Sequence, residues 1–284
     1  MGMVSEAKML SKSWLKLRRM KNGVSTLARL NLKTVMPIVV YQMGKVGSTS
    51  VKESLTSCGV GSVYQVHRLY PENIEGVRQD HLKRKSEPPD ESVGMLLYYH
   101  VVKKRKKCKF ITLVREPIGR NISAFFENFK FFTGMSFSDQ VFSIIELTNI
   151  FLNNYRHSVP LTWFDEEMKR SLDIDVYEYE FPKEDGYLYI NEHPFELLII
   201  KCEMVDSIKE RVISDFLSID NFSLNRANIA QDKNYSESYQ RFKNRINLPT
   251  SYIEMMCDSK YMKHFYGYSE IESIRSQWLA KGDN

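Results

Sequence analysis

The chain has 284 residues, 43% hydrophobic and 26% charged, the balance of a soluble globular protein with enough length to bury a sizeable core. A net charge of +5 and a pI near 8.8 suit an anionic ligand, but the charge is too dispersed to point to nucleic acid. Cys58, Cys108, Cys202 and Cys257 form no C-x-x-C pair, which argues against a zinc site or disulfide framework and for a reducing compartment.

Residues 1–33 form a basic N-terminal segment in which Trp14, Leu15, Leu17, Leu27 and Leu30 alternate with lysines and arginines at helical spacing. Two readings stand: a peripheral contact with anionic lipid, or a helix packed on the domain with a solvated basic face. No apolar run reaches the roughly 20 residues of a membrane span, and no signal-peptide core follows the basic start, so a cytoplasmic location is expected. The remainder, 36–278, reads as one domain.

Ile38 to Tyr41 is an apolar, β-branched run of the kind buried on both faces of a parallel sheet. It stops at Gly44-Lys45-Val46-Gly47-Ser48-Thr49-Ser50, and Val51 to Leu55 opens a helix. Strand, glycine loop and helix N-terminus together make an anion site, because unpaired N–H groups and the helix dipole converge there. The loop is not a Walker A sequence, since Lys45 precedes Gly47 rather than following it. The plain alternative is a tight βα turn.

Gly61 to Val66 predicts a second strand ending at His67, Pro71 to Lys85 a polar helix, and Val93 to Val102 an apolar helix that runs into the basic stretch Lys103–Lys107. Phe110 to Val114 is the next buried strand. Arg115 ends it, where open α/β sheets bind ligands, and Ser123 follows eight residues later in a helix beginning near Pro117. An arginine fork and a serine hydroxyl suit a phosphate; the alternative is an Arg115–Glu116 ion pair. The phenylalanines of 124–132 read as core.

Phe137 to Tyr155 and Trp163 to Lys169 read as helices. Asp175 to Tyr179 and Tyr187 to Ile190 read as strands of a hairpin insertion near 175–191, turning at Pro182–Gly186. Phe195 to Ile200 is a further buried strand, followed by a helix to about Leu217. Helices are expected at Tyr235–Ile246, Ser251–Tyr261 and Ser269–Ala280. The fold class is therefore α/β, a mainly parallel sheet with helices on both faces and a mainly helical C-terminal part.

The segments Gln42–Ser50 and Val114–Ser123 resemble the two signature elements of the sulfotransferases, enzymes that use 3′-phosphoadenosine 5′-phosphosulfate (PAPS) on a P-loop-kinase-like α/β fold. Lys45, Gly47, Ser48, Thr49 and Ser50 match the element that holds the 5′-phosphosulfate, with Gly44 in place of its usual proline. Arg115 and Ser123 match the element that holds the 3′-phosphate. Trp163-Phe-Asp165, Asp232-Lys-Asn-Tyr-Ser236 and His264-Phe-Tyr266 resemble a bacterial branch of capsular polysaccharide synthesis proteins. The resemblance implies sulfuryl transfer to a carbohydrate hydroxyl, with adenosine 3′,5′-bisphosphate as product and no metal. It also implies Lys45 at the leaving oxygen and Lys233 reaching the nucleotide.

A base for the acceptor is expected at His67, which ends the second strand beside Lys45, or else at His100, which precedes the third. A structural histidine is the alternative for His67. Two rival functions remain at this stage: a kinase using ATP and magnesium, and a non-catalytic protein binding membrane or anionic glycan through its basic N-terminus.

Overall fold

The computed structural model describes residues 25–28, 30, 36–137, 141–225 and 235–280. Most of the basic segment 1–33, and Lys233, lie outside the described residues. Five strands form one sheet in the order β2-β1-β3-β5-β4, where β1 is Ile38–Tyr41, β2 Val63–Val66, β3 Cys108–Val114, β4 Tyr187–Glu192 and β5 Phe195–Lys201. β2, β1, β3 and β5 run parallel, and β4 is an antiparallel edge. Every residue of β1 is buried, as are Phe110–Val114 and Leu197–Lys201. Consecutive burial requires cover on both faces of the sheet, which is why these strands carry unbroken apolar runs.

From β1 the chain crosses through helix α1 (Ser48–Ser57) to β2 on one side, then returns to β3 on the other side of β1. The connections leaving β1 and β3 therefore diverge, and a crevice opens between them at the strands' C-terminal ends. α2 (Pro71–Lys83) forms one wall; α3 (Ser92–Leu97), which continues as a π-helix over Tyr98–Val102, lies outside the crevice, and α4 (Pro117–Glu127) and α5 (Phe129–Thr133) form further walls. Next are α6 (Ile144–Asn154) and α7 (Val159–Trp163); α7 continues as a π-helix over Phe164–Lys169 and ends in α8 (Arg170–Leu172). The remaining helices are α9 (Asp206–Leu217), α10 (Ser236–Arg245), α11 (Thr250–Cys257), α12 (Lys260–Phe265) and α13 (Tyr268–Leu279). Among the described residues, no helix is long and apolar enough to cross a membrane.

Three expectations are corrected. Asp175–Tyr179 is not a strand: Val176–Glu178 is a single 3₁₀ turn, because the Asp175 carboxylate accepts the Tyr177 N–H at 3.1 Å. The hairpin instead pairs β4 with β5 around His193-Pro194, with Ile190 opposite Leu197. The helix expected from Phe137 starts at Ile144, where Ser143 and Glu146 cap each other's backbone N–H groups. The helix expected over 251–261 is two helices, because the Ser259 hydroxyl accepts the Met262 N–H and starts α12 afresh.

Candidate functional site

The loop between β1 and α1 has left-handed backbone at Gly44 (φ 85°), Lys45 (φ 63°) and Gly47 (φ 88°). Glycine adopts this conformation without penalty; for Lys45 it is an uncommon conformation that its surroundings must hold. They do so through two arginines. Arg120, on α4 and only 4% exposed, donates from Nη2 to Met43 O at 2.6 Å and from Nε to Gly44 O at 3.2 Å. Its remaining amino group donates to Tyr155 Oη at 2.7 Å and Asn121 Oδ1 at 3.1 Å. Arg115, at the end of β3, donates from Nη1 to Lys45 O at 2.9 Å. Two cations thus grip three successive carbonyls of the loop.

Gln42, fully buried at the end of β1, ties the loop from the other side. Its side-chain oxygen accepts the Gly44 N–H, and its amide nitrogen donates to Ser48 Oγ at 2.7 Å. Ser48 Oγ also accepts from Gln65 at 2.9 Å. His67 packs over the loop: a Cβ placed on Gly44 would stand 3.7 Å from the imidazole Cε1. The His67 Nδ1 lies 3.0 Å from both Gln42 O and Gln42 Nε2. A ring protonated at Nδ1 donates to the carbonyl and leaves Nε2 as an acceptor. His67 remains exposed, yet partial desolvation against the loop lowers its pKa, the Gln42 carbonyl contact and the Glu91 charge oppose this, and the Arg68 and Arg120 charges add to the lowering.

The backbone behind His67 is fixed by the π-helix of 164–169. Glu167, 3% exposed, accepts Tyr41 Oη and Tyr70 N at 2.8 Å, Leu69 N, and Asn73 Nδ2 at 2.6 Å. Trp163 Nε1 donates to His67 O at 3.2 Å. Single π-turns inside helices recur at functional sites, where the added residue re-aims a side chain.

These parts border one cavity of about 1030 Å³. Small-molecule sites commonly enclose about 300–1000 Å³, so this one stands at the upper end of that range. Of the loop residues, Gly44, Lys45, Gly47, Ser48, Thr49 and Ser50 line it, and so do His67, Arg115 and Ser123. Val46 does not: its side chain is fully buried in the core. His100 does not line the cavity either; it sits in the π-helix 98–102 with its Nδ1 buried. The alternative of an Arg115–Glu116 ion pair is not what forms: the Glu116 carboxylate caps α4 by accepting Ile118 N at 2.9 Å and Gly119 N at 2.6 Å. Lys45 Nζ stands 3.2 Å from Glu127 Oε2, which also accepts Tyr235 Oη.

Gln42, Arg120, Glu127 and Glu167 are functional neighbours that reading the sequence missed. One signal for two of them was present: Arg120 stands between Ile118 and Ile122 in an apolar helix, and Glu167 stands beside Phe164 and Met168. A charge on the buried face of a helix is rarely there without a partner.

A family model, NKWYS, described as "Putative capsular polysaccharide synthesis protein", matches residues 138–267. Over that stretch the chain is similar to the family. The matched stretch carries Tyr155, Trp163, Glu167, Tyr235 and Tyr239 of the cavity wall, and it lies outside the glycine loop, Arg115 and Ser123. No curated protein and no solved structure matches the chain.

Proposed function

We propose that the protein is a sulfotransferase that moves a sulfuryl group from PAPS to a hydroxyl of a carbohydrate acceptor. The observation that carries this reading is the junction of the two anion-suited elements. Arg115, from the end of β3, is hydrogen-bonded to the carbonyl of Lys45 in the loop after β1, and Ser123 lines the same cavity one helix further on. A nucleotide phosphorylated at both its 5′ and 3′ positions matches two such elements, whereas a nucleoside triphosphate uses one. The P-loop-kinase-like character of the fold belongs to this proposal. The match to a capsular polysaccharide synthesis family supports a carbohydrate acceptor.

The residues present fit the nucleotide. Left-handed backbone at Gly44, Lys45 and Gly47 forms a concave stretch of the type that binds anions through N–H groups, at the N-terminus of α1. Lys45 and the loop amides hold the 5′ end, and Arg115 and Ser123 hold the 3′-phosphate. The bound nucleotide supplies an activated sulfuryl group whose S–O bond to the 5′-phosphate breaks. His67 Nε2 accepts the proton of the acceptor hydroxyl as its oxygen bonds to sulfur. Lys45 exchanges the Glu127 carboxylate for the phosphate oxygen that gains charge as the S–O bond breaks. Gln42 joins both halves, since it contacts the loop and the histidine.

The test is incubation with PAPS labelled at sulfur and an oligosaccharide. The reading expects label in the saccharide with stoichiometric adenosine 3′,5′-bisphosphate, and Lys45→Ala reduces the rate at least about 100-fold, as expected for a lost charge stabiliser. Label transfer that survives in Lys45→Ala removes the lysine from the chemistry.

A further inference from the structure

The cavity has two regions that differ in charge, and His67 stands between them. Lys45, Arg115 and Arg120 border the region over the glycine loop. The other region lies between α2, the α5 end and the 155–167 stretch, away from the two phosphate-type elements at Gln42–Ser50 and Val114–Ser123. Its side chains include two ion pairs, Arg68–Glu91 at 2.7 Å and Arg156–Asp80. Three further carboxylates, Glu72, Glu166 and Glu167, border the cavity with no ion-pair partner among the described residues; Glu167 is buried and accepts four hydrogen bonds, while Glu72 and Glu166 are exposed. With the pairs cancelled, this wall carries three acidic residues in excess, of which Glu72 and Glu166 are the exposed ones.

The same wall offers aromatic faces. Phe132, which meets Tyr155 edge-on at 5.0 Å, borders the cavity, as does Phe131, whose ring is flanked by His81 at 4.2 Å and by the Arg84 guanidinium at 5.0 Å. Flat apolar faces beside carboxylate, amide and guanidinium groups suit a pyranose, whose C–H face is apolar and whose rim is a ring of hydroxyls.

We propose that this region is the acceptor subsite and that it takes a sugar residue with no acidic group, neutral or amine-bearing, while excluding uronates and already sulfated residues. The subsite rests on the sulfotransferase reading only for the reaction that follows. Its charge selectivity rests on Glu72 and Glu166. A carboxylate on the incoming sugar meets Glu72 and Glu166, exposed carboxylates bordering the cleft, and the repulsion is therefore salt-dependent. At about 6 Å, with a permittivity between those of surface and bulk, one such repulsion lowers affinity about tenfold. Amine-bearing sugars gain by the same interaction.

The experiment measures binding of two oligosaccharides of equal length to the full chain, one of N-acetylhexosamine and one of hexuronate, by ligand-observed NMR. It is run with and without adenosine 3′,5′-bisphosphate, at low and high salt. The expected result is binding of the N-acetylhexosamine chain, with the hexuronate at least about tenfold weaker at low salt and the gap closing as salt rises. The double variant Glu72→Gln/Glu166→Gln, checked for an intact melting transition, narrows the gap to about threefold or less. Equal or tighter binding of the hexuronate overturns the proposal, as does failure of both chains to bind. A gap unchanged in the double variant removes Glu72 and Glu166 as its source. If the discrimination is found while the bisphosphate does not bind, the subsite stands and the sulfotransferase reading falls.

Discussion

Replacing Arg120 by methionine keeps the buried stem of the side chain and withdraws the hydrogen bonds it donates to Met43 O, Gly44 O, Asn121 and Tyr155. A buried acceptor left without its donor costs about 1–3 kcal/mol. Met43 is 5% exposed, so its carbonyl bears that cost, whereas Gly44 is half-buried and water replaces part of what it loses. The sum is about 2–4 kcal/mol, well above the roughly ±0.5 kcal/mol of an ordinary surface change but below the 5–15 kcal/mol that holds a typical domain folded. With a urea slope of about 3 kcal/mol/M for a chain of this size, the midpoint falls by about 1 M. Arg120→Lys keeps the charge but cannot fork onto two carbonyls, so it recovers less than half of the loss. A midpoint within about 0.2 M of the native protein's, or full recovery by lysine, refutes the view that this guanidinium holds the loop.

Two further predictions concern histidines. His67→Ala lowers turnover about 10²–10⁴-fold and abolishes the acid limb of the pH–rate profile. That limb lies below the ordinary histidine value of about 6.5, because the exposed imidazole is partly desolvated where it packs over the loop and the neighbouring arginines oppose its protonation. His100→Ala keeps the limb, and its loss in that variant would reverse the assignment. His264 has its pKa lowered to about 4 by burial and the charges of Lys183 and Lys260, and its buried Nε2 has no hydrogen-bond partner among the described residues. Because the unfolded state takes up this proton first, stability falls as pH drops from about 6.5 towards 4. The full difference is at most about 3 kcal/mol, and partial exposure of the ring reduces it to about 1–2 kcal/mol. His264→Leu, which keeps the packing on Tyr177, Phe181 and Phe265, flattens the midpoint between those pH values; an unchanged slope would place the acid sensitivity elsewhere.

The parallel sheet was legible because Ile38–Tyr41, Phe110–Val114 and Phe195–Ile200 are apolar without alternation, and only a strand covered on both faces tolerates that. The residues that end those strands, and hence the glycine loop, His67 and Arg115, followed from the order of the elements. The 3₁₀ turn at Val176–Glu178 was not legible, since its apolar and aromatic spacing mimics a strand and one aspartate hydrogen bond decides against it. Nor was the β4–β5 hairpin, whose turn at His193-Pro194 has no glycine or Asn-Gly signal. Within the site, the side chains that would contact ligand were visible as motifs, while the supports were not. Arg120 and Glu167 act on backbone atoms of other segments, and side-chain-to-backbone contacts across 76–98 residues leave no local pattern. Val46 shows the converse: it lies inside the motif, yet the core claims its side chain.

The central claim is a site for a nucleotide phosphorylated at both 5′ and 3′ positions, and the measurement that tests it most directly is thermal melting with a set of nucleotides. A ligand that binds only the folded chain stabilises it by mass action. Adenosine 3′,5′-bisphosphate should raise the melting temperature more than adenosine 5′-monophosphate or ATP with magnesium. Arg115→Ala and Ser123→Ala should each shrink that difference while leaving the response to the monophosphate unchanged. A larger shift with ATP and magnesium, or equal shifts for the bisphosphate and the monophosphate, would contradict the account.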